Sequence, residues 1–157
     1  MNINFKISAI DNTYNSLFKR TTEELAKKNM VKMRVNSNPG FPCRVSLEDA
    51  LIGEEVLLLP FEYHKTTSPY KASCPVFIRK NAVKANLAVN EIPTMLFKRQ
   101  QTLRVYDTNG MMIAAKSSRT DDIRKEIETL FMNPKASYIQ VHNTNPGCYN
   151  CQVDRIV

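Results

Sequence analysis

Glycine is scarce in this chain: four in 157 residues, at positions 40, 53, 110 and 147. No Gly-x-x-x-x-Gly-Lys-Ser/Thr, Gly-x-Gly-x-x-Gly or Gly-x-Ser-x-Gly run is present, so no glycine-rich loop cradles a phosphate. Nucleotide hydrolysis and dinucleotide-dependent redox chemistry are disfavoured accordingly. Long apolar runs are also missing. The longest lies around Val56 to Phe61 and covers about six residues, whereas a membrane helix needs about 20. The opening MNINFKISAI has no basic start followed by an apolar block, which predicts no signal peptide and a cytoplasmic protein. There are no internal repeats and no low-complexity segments. Helix-turn-helix, zinc-finger and aromatic RNA-binding signatures are absent too.

What is present is ordinary globular composition, 43% hydrophobic and 24% charged, with a net charge of +7. The length suits one domain spanning residues 1–157. Such a domain buries roughly 70% of its unfolded surface, enough for a hydrophobic core to hold it. The positive excess is concentrated mid-chain, at Arg79, Lys80, Lys84, Lys98, Arg99 and Arg104. Folded onto one face, these residues would attract phosphate groups; spread out, they are a solvated surface.

Hydrophobic patterning predicts the elements. Residues 1–10 alternate as a strand, and 13–29 read as one bent helix or two short ones, with Thr21 and Glu24 as a capping box. Strands follow over 30–36, 54–63 and 73–79, and Pro60 argues for a strand end, an edge or a bulge. Residues 92–100 suit a short helix or a turn, with Pro93 in its first position. The clearest hairpin flanks DTNG at 107–110, where Asn109–Gly110 supplies positive φ. The clearest helix is 121–132, with a stripe of Ile123, Ile127, Leu130 and Phe131 and with Thr120 as its cap. Strands at 137–142 and 148–156 close the chain. The expected fold is α+β: a single domain, one mixed and mostly antiparallel sheet, with two or three helices packed on it.

Chemistry concentrates in HNTNPGCYNC, residues 142–151, which holds His142, Cys148 and Cys151. A Cys-x-x-Cys pair on a tight turn can hold zinc, with His142 as third ligand and Cys43 or Cys74 as fourth. Within a strand, however, side chains three apart point to opposite faces. The expectation is therefore free thiols and no metal. The zinc-deaminase pattern fails, since neither His64 nor His142 is followed by x-Glu. A thiolate nucleophile at Cys43 or Cys148 is a further reading, with His142 or Arg44 as its activator. The competing reading is cysteine as a small buried hydrophobe.

Three segments together carry a resemblance: PGFPCRVSLEDALIGEEVLLL (39–59), SPYKASCPVFIR (68–79), and the tail from YDTNGMM to YIQVHNTNPGCYNCQVDR (106–155). In this order and spacing they resemble the bacterial family of unknown function numbered 1203. The resemblance implies a single-domain bacterial protein and implies no reaction. It points to Gly40, Cys43, Arg44, Glu48, Asp49, His142, Asn143, Cys148, Tyr149, Asp154 and Arg155 as pattern positions. It also implies that Cys74 and Cys151 are particular to this member, which lowers the zinc reading.

The function expected is a small-ligand-binding protein or enzyme. Its pocket would form where GFPCR (40–44) meets HNTNPGCY (142–149). Cys43, His142 and Cys148 are the candidate catalytic groups. Arg44, Asn143, Tyr149 and Arg155 are the candidate ligand contacts, and the arginines suit a small anion. No cofactor, metal or membrane partner is expected. The alternative is a non-catalytic binding module that uses the basic stretch 79–104 for nucleic acid or an acidic protein.

Overall fold

The computed structural model describes residues 2–157 and contains eight strands in two antiparallel sheets, rather than the single sheet expected. The strands are β1 (Asn4–Ser8), β2 (Val31–Arg34), β3 (Glu55–His64), β4 (Ala72–Arg79), β5 (Gln101–Tyr106), β6 (Met112–Ser118), β7 (Tyr138–Asn143) and β8 (Tyr149–Ile156). The larger sheet runs β1-β8-β7-β5-β6 and the smaller β2-β3-β4. Two α-helices, α1 (Thr22–Ala26) and α2 (Ile123–Phe131), and two one-turn 3-10 helices at Asn15–Lys19 and Thr94–Lys98 complete the regular structure. Among the described residues no helix is long and apolar enough to cross a membrane.

Each sheet has its own core. One face of the larger sheet presents Phe5, Ile7, Leu103, Val105, Ile139, Val141 and Val153 at alternate positions. Helix α2 lays Ile123, Ile127 and Phe131 on that face, so the predicted stripe is the buried one. Each such side chain contributes roughly 1.5–3 kcal/mol of burial. The smaller sheet packs Leu57, Leu59, Val76 and Ile78 against Phe18 of the first 3-10 helix and Leu25 of α1. Thr21 caps α1 as predicted, its hydroxyl accepting from the Glu24 N–H at 3.1 Å.

Several local expectations need correction. Helix α2 starts two residues later than a Thr120 cap requires, and its N-cap residue, Asp122, makes no side-chain cap. In the β5–β6 turn only Gly110 has positive φ. Asp107 accepts from the Asn109 and Met111 N–H groups instead, which makes a wider turn. Pro93 precedes the second 3-10 helix rather than opening it. Pro60 sits opposite Pro75 in the middle of β3, beyond the last residue paired with β2. There β3 has one neighbour, and that neighbour asks no N–H of it.

The stretch after β2 does most to position a site. Cys43 bridges Phe77 of β4 in parallel, and the Arg44 N–H donates to the Phe77 carbonyl at 3.1 Å. Residues 41–50 fold back on themselves, with Cys43 N–H to Glu48 O and Ala50 N–H to Phe41 O both at 2.9 Å. Asp49 locks this fold, its fully buried carboxylate gripped by both terminal nitrogens of Arg99, with a shorter contact of 2.5 Å.

Candidate functional site

The second face of the larger sheet is polar and aromatic. On β7 it carries Tyr138, Gln140 and His142; on β5 it carries Thr102, Arg104 and Tyr106, paired with them in register. The end of β3 covers this face. Tyr63 stacks on Tyr149 at 5.2 Å and meets His142 edge-on at 4.9 Å, while His64 lies 4.1 Å from the Tyr106 ring. The Gln140 amide nitrogen donates to the Tyr63 carbonyl at 3.0 Å, tying the two sheets together.

A bulge in β8 shapes this seam. Val141 pairs with Cys151 and His142 with Tyr149, so Asn150 is the extra residue. Tyr149 therefore shares the His142 face, and Cys151 shares the core face of Val141. Burial pushes the Cys151 thiol up to about 12. Cys148 precedes the strand, and all four cysteines are free. Among the described residues no three His, Cys, Asp or Glu side chains converge as a metal set.

Arg44 is the most unusual residue of the seam. It is 2% exposed. Its Nε donates to the Tyr149 carbonyl at 2.7 Å and one terminal nitrogen to the Pro42 carbonyl at 2.5 Å. No carboxylate pairs with it; the acidic groups close enough to act on it are the thiols of Cys148, Cys74 and Cys43. Burial depresses its pKa, yet a guanidinium keeps its proton at neutral pH. A second guanidinium, Arg104, donates to the Tyr63 hydroxyl at 3.2 Å and likewise has no carboxylate partner.

His142 is fully buried. Its Nδ1 lies 2.9 Å from the Gly147 carbonyl, which can only accept, so Nδ1 carries the proton and Nε2 offers a lone pair. Gly147 adopts φ +116°, a conformation side chains avoid, and this aims its carbonyl at the ring. Among the described residues Nε2 has no hydrogen-bond partner. Burial first, then the Gly147 bond working against it and the charges of Arg104 and Arg44 working with it, lower the imidazole to about 4. The Gln140 side-chain oxygen, on the same face of β7, is also buried and unpartnered.

The expected residues are thus brought together in part. Arg44, Tyr149 and His142 lie together in one closed seam between the sheets, next to Cys148, and the bends at 40–44 and 142–149 do meet. Cys43 is wholly buried behind Arg44, and its sulfur accepts from the Arg79 and Ser46 backbone N–H groups at 3.3 and 3.5 Å. No hydrogen bond joins His142 to Cys43 or Cys148. Asn143 faces away, its oxygen accepting from Asn150 at 2.7 Å and Gln101 at 3.2 Å. Arg155 lies elsewhere, over the Phe131 ring and bonded to the Asn133 and Ala136 carbonyls. It sits on β8 at a position facing the end of α2, where the carbonyls after a helix attract a cation.

Sequence reasoning passed over Tyr63, His64, Gln140 and the role of Arg104. The available signal was the alternation of polar and aromatic residues along Thr102–Tyr106 and Tyr138–His142, which marks a second covered face. The mid-chain basic stretch is largely neutralised. Arg79 pairs with Glu54 and Glu48, Lys80 with Glu55, Lys84 with Asp11, and Arg99 with Asp49.

No curated protein and no solved structure matches the chain. The family model described as a protein of unknown function, DUF1203, matches residues 40–155, a span that opens on the Arg44 bend and closes just past Tyr149. This chain belongs to that family.

Proposed function

We propose that the seam between the two sheets opens to bind a small organic anion beside Arg44. The observation that carries the reading is Arg44: a guanidinium taken out of water and bonded only to carbonyls. Removing such a charge from water costs several kcal/mol, which carbonyl dipoles offset incompletely. An anion arriving beside it recovers that cost, and Arg104 supplies a second positive group. His142 and Gln140 add two buried acceptors, which suit ligand O–H or N–H groups. A hydroxy acid or an amino acid has both features, a carboxylate and a donor.

The alternative, a docking module on the basic stretch, draws less support, because four of its six side chains are held in ion pairs. Thermal unfolding with lactate, propionate or inorganic phosphate tests the ligand reading. Lactate and propionate differ by one hydroxyl. Lactate is expected to raise Tm more than propionate in the wild type, and neither is expected to raise it in Arg44→Met. Equal effects of the two acids on wild type and variant would contradict the reading.

A further inference from the structure

We infer that Cys74 and Cys148 form a reversible dithiol–disulfide pair beside Arg44, oxidised by a peroxide. Cys43 and Cys151 are fully buried in the apolar clusters of the two sheets, whereas Cys74 and Cys148 are both partly exposed. The exposed two are also neighbours. The Tyr149 N–H points at the Cys74 sulfur, 3.4 Å away. Covalent geometry then places the Cys148 Cα within about 6 Å of that sulfur. Each thiol lies within electrostatic range of the other and of the Arg44 guanidinium.

Three features prepare this pair for oxidation. Cys148 lies in the loop between β7 and β8, outside regular structure, so its backbone can yield to the geometry a disulfide demands. Its carbonyl accepts from the Asn143 N–H at 2.9 Å, which keeps the residue beside Cys74. Arg44 offers a fixed positive charge to a thiolate, the species that attacks a peroxide. Cys148 sits on the yielding loop and Cys74 is held within β4, so Cys148 is assigned the first attack and Cys74 the second.

The Cys148 thiolate attacks one oxygen of hydrogen peroxide. The O–O bond breaks, leaving a sulfenic acid and a hydroxide that takes up the proton lost by the thiol. The Cys74 sulfur then attacks the sulfenic sulfur. The S–S bond forms, the S–O bond breaks, and the departing hydroxide leaves as water with the Cys74 proton. Two thiols lose two electrons, and one peroxide becomes two waters. The inference does not depend on a bound organic anion, since the oxidation proceeds in the free protein.

The test is to treat the reduced full-length chain with hydrogen peroxide in anion-free buffer, alkylate the remaining thiols, and map the digest by mass spectrometry. The expected result is a peptide pair joining Cys74 to Cys148, lighter by two hydrogens and released by dithiothreitol, with alkylatable thiols falling from four to two. Cys74→Ser should trap Cys148 as the sulfenic acid, captured by dimedone. A Cys148–Cys151 link, or oxidation of Cys148 in the wild type with Cys74 still alkylatable, would overturn the assignment. Arg44→Met should slow disulfide formation at least tenfold; an unchanged rate would remove Arg44 from this chemistry.

Discussion

The Nε of Arg44 donates to the carbonyl of Tyr149 at 2.7 Å, joining residues 105 positions apart. This contact closes the early bend on the late one and sets a positive charge between two sheets. Removing it separates two effects. Arg44→Met loses two charge-assisted hydrogen bonds, each worth about 1.5–3 kcal/mol, but also relieves an unpaired buried charge. The net change in urea midpoint should therefore be small, while anion-dependent stabilisation vanishes. Arg44→Lys should not restore that stabilisation, because one ammonium cannot reach both carbonyls and a ligand in the geometry of a guanidinium fork.

Asp49 behaves differently. Its carboxylate is fully buried and Arg99 grips it with both terminal nitrogens, so Asp49→Ala leaves a largely buried guanidinium with no carboxylate partner. A loss of about 3 kcal/mol is expected in urea denaturation. The 41–50 fold carries Arg44, so ligand response should fall with it. A loss under about 0.5 kcal/mol, the range of ordinary surface changes, would show that the pair does not hold this fold.

His142 predicts a pH effect with a definite sign. Its folded-state pKa, lowered to about 4, lies below the ordinary value of 6.5, so the unfolded chain binds the proton more readily. Stability should be complete above pH 6.5 and decline as pH falls toward 4, by up to about 3 kcal/mol. Carboxylates titrate in the lower part of this window. The check is the difference between wild type and His142→Gln in urea midpoint at pH 7.5 and pH 5. The variant should show the shallower dependence, and parallel curves would contradict the assignment.

Tyr138 and His64 form a second linked pair. The His64 Nδ1 lies 2.8 Å from the Tyr70 carbonyl, so the ring donates there and its Nε2 accepts the Tyr138 hydroxyl proton at 2.6 Å. His64 is buried, and Tyr138→Phe would leave Nε2 unsatisfied at a cost of about 1–3 kcal/mol. Nitrogen NMR of the imidazole should show the Nδ1-protonated form in the wild type. An Nε2-protonated ring would reverse the direction of this bond.

The architecture was readable where local pattern and burial agree. The Ile123, Ile127 and Phe131 stripe and the flanks of the DTNG turn each specify an element from nearest neighbours, and those elements formed. The division into two sheets was not readable, because it depends on β3 leaving β2 at Leu58 and carrying Tyr63 and His64 onto the polar face of β5 and β7. The site was legible by half. PGFPCR and NTNPGCY stand out as turn-rich, cysteine-bearing segments, and they do meet at Arg44 and Tyr149. The fate of each side chain was hidden, since the Asn150 bulge decides which of Tyr149 and Cys151 faces His142. Arg155 misled because sequence alone does not distinguish a guanidinium that closes a helix end from one that awaits a ligand.

Under the proposed function, Arg44 is a charge awaiting an anion. The most direct measurement is a titration of lactate into nitrogen-labelled protein, following the Arg44 Nε–H resonance identified by its absence in Arg44→Met. A saturable shift of that resonance, with a matching response at the His142 ring, is the result predicted. An Arg44 resonance that stays fixed while distant surface resonances drift together would contradict it.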